Sequence, residues 1–214
     1  MFRLNSLSGK PIRVMRAQGL RGRIVRKWTK TTEADPKAVP APNLLDRDFT
    51  ASKGNERWVG DVTYLRTPVG WLCLAAVMDL FSRRIVGWAI SPCSDRTLAK
   101  AGLSDALRRR RPGPGFLHHT DRESPDTSDD YQRLLDDSEA VCSMSRRGNC
   151  LDNAAMESWF STLKHELGEH FASPADAKTK LFDYIEVFYN QQRMHSAIGY
   201  VSPGEFERNA GVAA

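Results

Sequence analysis

Three acidic residues hold positions from which carboxylate chemistry could be done. Asp61 sits between Gly60 and Val62-Thr63-Tyr64, inside a β-rich run. Asp121 follows Phe116–Thr120, a short run that reads as a strand, and polar residues at strand ends are where sheet proteins with helical crossovers place their chemistry. Glu157 lies in an amphipathic stretch, with 35 residues between it and Asp121. Magnesium is a hard ion that takes a few protein carboxylates and keeps places for water and phosphate oxygens. Two such ions, about 3.5–4 Å apart, can activate a hydroxyl and stabilise a departing 3′ oxygen. Clustered carboxylates repel one another unless a cation is present, so a trio of this kind tends to be a metal site. Types and spacing alone leave the bland reading open: a lone Asp or Glu is more often a surface charge or a cap, and Asp79 in Met78-Asp79-Leu80-Phe81-Ser82 reads as a turn former.

The elements that would position this trio are legible. Trp58–Arg66, Trp71–Asp79 and Arg83–Ser91 are β-rich runs broken at Pro68-Val69-Gly70 and Phe81-Ser82, which predicts an antiparallel meander. Thr97–Arg111 reads as a helix ended by Pro112-Gly113-Pro114-Gly115. Ser128–Asp137 reads as a helix and Ala140–Met144 as a strand. Leu151–Leu167 and Ala175–Gln192 read as two further helices. The order βββ-α-β-α-β-α-α predicts an α/β fold: a mixed sheet of three antiparallel strands, then parallel additions, flanked by helices.

At 214 residues with 41% hydrophobic content the chain can bury a sizeable core, and its mean hydropathy is −0.47. It lacks the apolar runs of a membrane helix or a secretory leader, so a cytoplasmic protein with no membrane partner is expected. Cys73, Cys93, Cys142 and Cys150 are scattered without a Cys-x-x-Cys pair, which suits reduced thiols better than a disulfide framework or a zinc site. Charge is uneven: residues 1–57 carry a net +8 and the remainder −3. Such an arm suits a polyanion, nucleic acid above all, although a solvated basic segment has the same composition. The expected organisation is a basic segment at 1–30, a Pro-rich linker at 31–56 and a folded core at 57–210.

Longer words then narrow the reading. Trp58-Val59-Gly60-Asp61-Val62-Thr63-Tyr64-Leu65 is one, and Met78-Asp79-Leu80-Phe81-Ser82-Arg83-Arg84-Ile85-Val86-Gly87-Trp88 another. Arg146-Arg147-Gly148-Asn149-Cys150-Leu151-Asp152-Asn153-Ala154-Ala155-Met156-Glu157-Ser158 follows, then Phe160–Lys164, Tyr189-Asn190, His195–Tyr200 and Ser202-Pro203. From Trp58 to Glu207 the chain resembles the bacterial insertion-sequence transposases of the IS-three type, whose cores look like retroviral integrases and have an RNase H-like fold. The gap from Asp121 to Glu157 is that family's spacing too.

The resemblance implies that Asp61, Asp121 and Glu157 are the metal-binding, catalytic triad of a DDE transposase. Its cofactor would be Mg²⁺, with Mn²⁺ as substitute, as two ions. The reaction would be cleavage at transposon ends followed by strand transfer into target DNA, in a homo-multimeric synaptic complex. Arg146, Arg147, Asn149, Asn153 and Lys164 could position DNA around the last helix of the triad. Arg193 and His195 suit packing or capping. Two features depart from the family pattern. Asp121-Arg122-Glu123-Ser124-Pro125-Asp126 stands where Asp-Arg-Gly-Ser-Gln-Tyr is usual, with a Pro that removes a donor and a Glu that resists left-handed backbone. Val14–Gly22 looks like only the closing part of a helix-turn-helix region. Both features would suit a truncated, non-catalytic DNA-binding remnant able to interfere with full-length transposase. A structure-selective nuclease of the same fold is a third reading.

Overall fold

The computed structural model describes residues 41–121, 129–168 and 170–212. The segment at 1–30, residues 31–40 and the Glu123–Asp126 loop lie outside the described residues.

Strand β1 (Arg57–Thr67) pairs antiparallel with β2 (Gly70–Asp79) in unbroken register from Trp58 opposite Asp79 to Thr67 opposite Gly70. The reversal at Pro68-Val69 leaves Gly70 at φ 132°, a conformation an L side chain rarely adopts. β3 (Ile85–Ser91) pairs antiparallel with β2, and Trp88 faces Ala76. Asp79 forms the intervening turn as expected: its carboxylate accepts the Phe81 amide at 3.0 Å and its carbonyl the Arg83 amide at 2.8 Å. It is fully buried as well, which its sequence context does not reveal.

Helix α1 (Arg96–Arg110) starts at Asp95, whose side chain caps the Leu98 amide, and ends where Arg111 turns left-handed before Pro112. It lies against β3 at Gly87, where an added Cβ would stand 2.3 Å from the Ala106 nitrogen. β4 (Leu117–Thr120) then adds parallel to β1, and β5 (Val141–Met144) parallel to β4, with α2 (Asp129–Asp137) between them. The sheet order is β3-β2-β1-β4-β5, the predicted antiparallel meander with parallel additions.

A 3-10 turn, Cys150–Asn153, leads into α3 (Ala154–Leu167). After α4 (Pro174–Phe182), capped by Ser173, the backbone widens to π-helical geometry over Asp183–Tyr189. The sequence reading of one helix from Ala175 to Gln192 is corrected here. The widening ends at Asn190, whose amide reaches the Ile185 carbonyl, and whose side chain bonds Ile85 on β3 through both its oxygen and its nitrogen. That side-chain clamp to the edge strand competes with a regular helix and wins locally. A short helix α5 (Pro203–Asn209), capped by Ser202, was read only as a sequence word.

Helices cover both faces of the sheet. Met156, Trp159, Phe160 and Leu163 of α3 join Leu181 and Ile185 over Val59, Leu74, Ala76 and Met78. On the other face Ala99, Leu103 and Ala106 of α1 meet Trp58, Val77, Val86, Phe116, Tyr131 and Leu135. The stretch read as linker packs onto this core from residue 41: Leu45 is buried, and the Leu44 and Leu45 amides donate to Ser143. A Pro-rich composition concealed two adjacent leucines, one of which supplies the anchor. Cys73 and Cys93 are free thiols, and burial pushes that of Cys73 up to about 11.

Candidate active site

The parallel register of β1 and β4 brings two of the three carboxylates together. Gly60 pairs with Thr120, so Asp61 and Asp121 are the next residues on adjacent strands. Parallel neighbours lie about 4.8 Å apart and point to one face. That face is the one α3 covers, because the cross-strand partner of Asp61 is Ala76, a member of the α3-side core. Asp61 accepts the amide of Val62 on its own carboxylate at 2.7 Å, which turns the group along the strand.

Glu157 arrives by a side-chain stitch. Asn153 ends the 3-10 turn, is buried, and donates its amide nitrogen to the Gly60 carbonyl at 3.2 Å. Glu157 lies four residues on, one helical turn along the same face, in the first turn of α3. Its carboxyl pKa is raised by burial. Among the described residues no three His, Cys, Asp or Glu side chains are already closed around an ion-sized volume. The donor set nonetheless fits a hard divalent cation. It is all oxygen, it comes from two adjacent strands and the first turn of a helix tied to one of them, and burial raises the Glu157 carboxyl, a shift that a bound cation would oppose.

The support behind the corner is polar, and three of its buried atoms, His118 Nδ1, Thr120 Oγ1 and Asn153 Oδ1, have no hydrogen-bond partner among the described residues. His119 on β4 holds the hydroxyls of Ser143 at 2.8 Å and Ser145 at 3.1 Å, and Ser145 donates its amide to the Thr120 carbonyl. His118 meets the Tyr131 hydroxyl at 2.7 Å and stands behind Gly60, where an added Cβ would come within 3.2 Å of its ring. Burial lowers both imidazoles, to about 3 for His118 and about 4 for His119, so both are neutral supports at pH 7. Asp152 is fully buried. It accepts the Arg146 amide and guanidinium, the Arg47 guanidinium and the Asn43 amide, and the arginine bonds hold its carboxyl well below the usual range.

The residues expected to touch DNA divide. Arg147 is exposed and Asn149 partly so, on the loop before α3; Lys164 is half-buried two turns beyond Glu157. Arg146 is half-exposed and bound to Asp152. Asn153 is turned inward, onto Gly60. Arg193 pairs with Glu166 and lies over Tyr189, and His195 caps the Ser196–Ile198 turn, both in the packing and capping roles expected. Asp152, His119, Ser143 and Arg47 were not singled out from sequence. Asp152 lay inside a quoted word, one residue before Asn153, but nothing local marks a carboxylate as buried.

The sheet order, the carboxylate corner and the helix stitched to it define an integrase-type nucleic-acid-processing core. The integrase core domain family matches residues 51–150, and a second integrase core domain family matches residues 139–203. Transposase InsF for insertion sequence IS3A of Escherichia coli is 44% identical over 195 residues, which are 90% of this chain and 68% of that protein. The transposase for insertion sequence element IS904 of Lactococcus lactis is 41% identical over 198 residues, 92% of this chain and 78% of that one. The chain belongs to the IS3-type insertion-sequence transposases. Among solved structures, the HTLV-2 integrase catalytic core domain in complex with magnesium superposes with a TM-score of 0.57 at 14% identity, over 73% of this chain and 98% of that one. The BIV integrase catalytic core gives 0.54 at 15% identity, over 74% and 97%. These distant likenesses establish the RNase H-like fold.

Proposed function

We propose that this DDE transposase cleaves DNA at the ends of its insertion sequence and joins the freed 3′-OH to a target phosphodiester, with Asp61, Asp121 and Glu157 holding the metal. The observation that carries the reading is the register of Gly60 with Thr120, together with the Asn153 bond to Gly60. Between them these contacts bring the segments that carry Asp61, Asp121 and Glu157 next to one another, which supports a shared role for the three carboxylates. Mg²⁺, or Mn²⁺ in its place, supplies the Lewis acidity for in-line phosphoryl transfer when bound there as two ions. The chain contributes position: β1 and β4 are rigid, buried strands, and α3 is anchored before its first turn. Arg147, Asn149 and Lys164 lie along the approach to Glu157 and would hold the DNA backbone, while Asn153 orients α3. Work on two transposon ends calls for more than one copy of the chain, acting on DNA in the bacterial cytoplasm. Nothing in the fold or the comparisons favours a non-catalytic remnant.

The test is strand transfer with DNA ends taken from the flanks of the gene, in Mg²⁺ and in Mn²⁺. Metal-dependent joining by the wild type, absent in Asp121→Asn, is expected. Hydrolysis without joining would replace the reading by that of a nuclease. DNA binding with no chemistry, even after Glu123→Gly with Pro125→Gln, would replace it by the remnant.

A further inference from the structure

Arg47 belongs to a stretch whose composition reads as a spacer, yet its backbone is held in an unusual state. Asp46 and Arg47 are consecutive left-handed residues, at φ 42° and 64°, and neither is glycine. Non-glycine residues adopt this conformation when their surroundings over-determine it, and such places cluster at functional sites. Here the surroundings are specific. The Asn43 side chain takes the Asp46 amide at 2.9 Å, the Leu45 carbonyl takes the Asp48 amide at 2.8 Å, and Leu45 is buried in the core. The turn delivers the Arg47 Nε to Asp152 Oδ1 at 2.9 Å.

The same carboxylate holds Arg146. Its Nε donates to Asp152 Oδ2 at 2.8 Å and its Nη2 to Asp152 Oδ1 at 2.8 Å. Asp152 is thus a buried post carrying two guanidinium groups, whose side chains are 44% and 51% exposed. Each retains donors. A guanidinium has five N–H bonds; Arg47 spends only Nε, and Nη1 of Arg146 has no partner among the described residues. Asp46, itself 73% exposed, draws on Arg146 Nη2 at 3.1 Å and offsets part of the charge.

The post stands beside the candidate site on both sides. Arg146 follows Ser145, which is bonded to Thr120, the residue before Asp121. Asp152 precedes Asn153, which is bonded to Gly60, the residue before Asp61. Resting on the transposase reading above, we propose that Arg47 and Arg146 form a two-arginine phosphate clamp, fixed on Asp152, that grips the DNA backbone next to the carboxylate corner. Guanidinium groups already ordered by a carboxylate lose little side-chain freedom on binding, and their planar forks match phosphate oxygens.

The experiment measures binding of a short fluorescent duplex by the full chain across a salt series, for wild type, Arg47→Gln, Arg47→Lys, Arg146→Gln, Asp46→Asn and a surface control, Arg108→Gln. Each lost phosphate contact flattens the plot of log K against log salt by about one. Arg47→Gln and Arg146→Gln should each do so and weaken binding roughly tenfold at low salt. Arg47→Lys should restore the slope but only part of the affinity, and Asp46→Asn should tighten binding. Arg47→Gln is the decisive variant, because Arg146 still covers Asp152 and the fold is kept, as circular dichroism would verify. Unchanged slopes with a lowered melting temperature would make the Asp152 assembly an internal latch and overturn the clamp. So would an equal effect from Arg108→Gln. Failure of the transposase reading shows up separately, as a wild type that binds DNA but never joins strands.

Discussion

Asn153 donates its side-chain amide to the carbonyl of Gly60 across 93 residues of sequence, and that bond ties the start of the helix that carries Glu157 to the strand that carries Asp61. Asn153→Ala removes this bond from the Gly60 carbonyl, which costs about 0.5–1.5 kcal/mol of stability. Joining should fall further than stability does, by roughly 10²-fold, because a shift of about 1 Å in Glu157 spoils the reacting geometry. Thermal melts beside single-turnover joining separate the two effects; equal losses in both would make Asn153 purely structural.

Glu157 offers a linkage test. Its pKa is raised by burial, so without metal the folded state holds that proton more tightly than the unfolded chain does. Stability from this group is therefore full at low pH and lost as pH rises through the folded value. A bound cation reverses the sign by favouring the ionised form. Melting temperature should fall with rising pH in chelator and fall less, or rise, in Mg²⁺ or Mn²⁺. Glu157→Gln should melt no lower than wild type in chelator and lose the metal-induced increase.

Asp79 makes a second pH signal from a carboxylate outside the candidate metal-binding trio. Desolvation raises its pKa to about 6, against the backbone bonds from Asn55 and Phe81 and the charge of Arg110. Between about pH 4 and 6 this raised value works against the fold as pH rises, by on the order of 1–3 kcal/mol. Asp79→Asn should flatten that part of the stability profile in denaturant titrations while leaving metal dependence intact.

Glu207 ties α5 to the body of the fold. It takes Arg110 Nη2 at 2.8 Å, Arg84 Nη1 at 2.7 Å and the Ser82 hydroxyl at 2.8 Å, and it is almost wholly buried. Breaking such a pair leaves buried cations uncompensated, so Glu207→Gln should cost about 3–5 kcal/mol in urea unfolding. A loss under about 1 kcal/mol would show the arginines finding water instead.

Gly87 tests the helix-on-sheet contact. Gly87→Ala places a methyl 2.6 Å from the Gly102 carbonyl oxygen and closer still to the Ala106 nitrogen. Backbone must move, and a cost of about 1–3 kcal/mol or more is expected by thermal melt. Gly113→Ala, with nothing within 4 Å of the added Cβ, is the matched control and should be close to neutral.

Local patterns were enough to determine the strands, the first helices and a meander with parallel additions, while the three acidic positions were marked as candidates by the family words rather than by spacing. Strand alternation and helix caps act over a few residues, so they are written where they act. The words from Trp58 to Glu207 carried the family as well. Tertiary structure decided what depends on contacts between distant segments. Leu45 became core only because Ser143, 98 residues away, takes its amide. The helix after Pro174 widened because Asn190 found Ile85 at a separation of 105 residues. Asp152 became a buried post because Asn43 and Arg47 fold back onto it, and a carboxylate's burial is a property of its neighbours, not of its own segment.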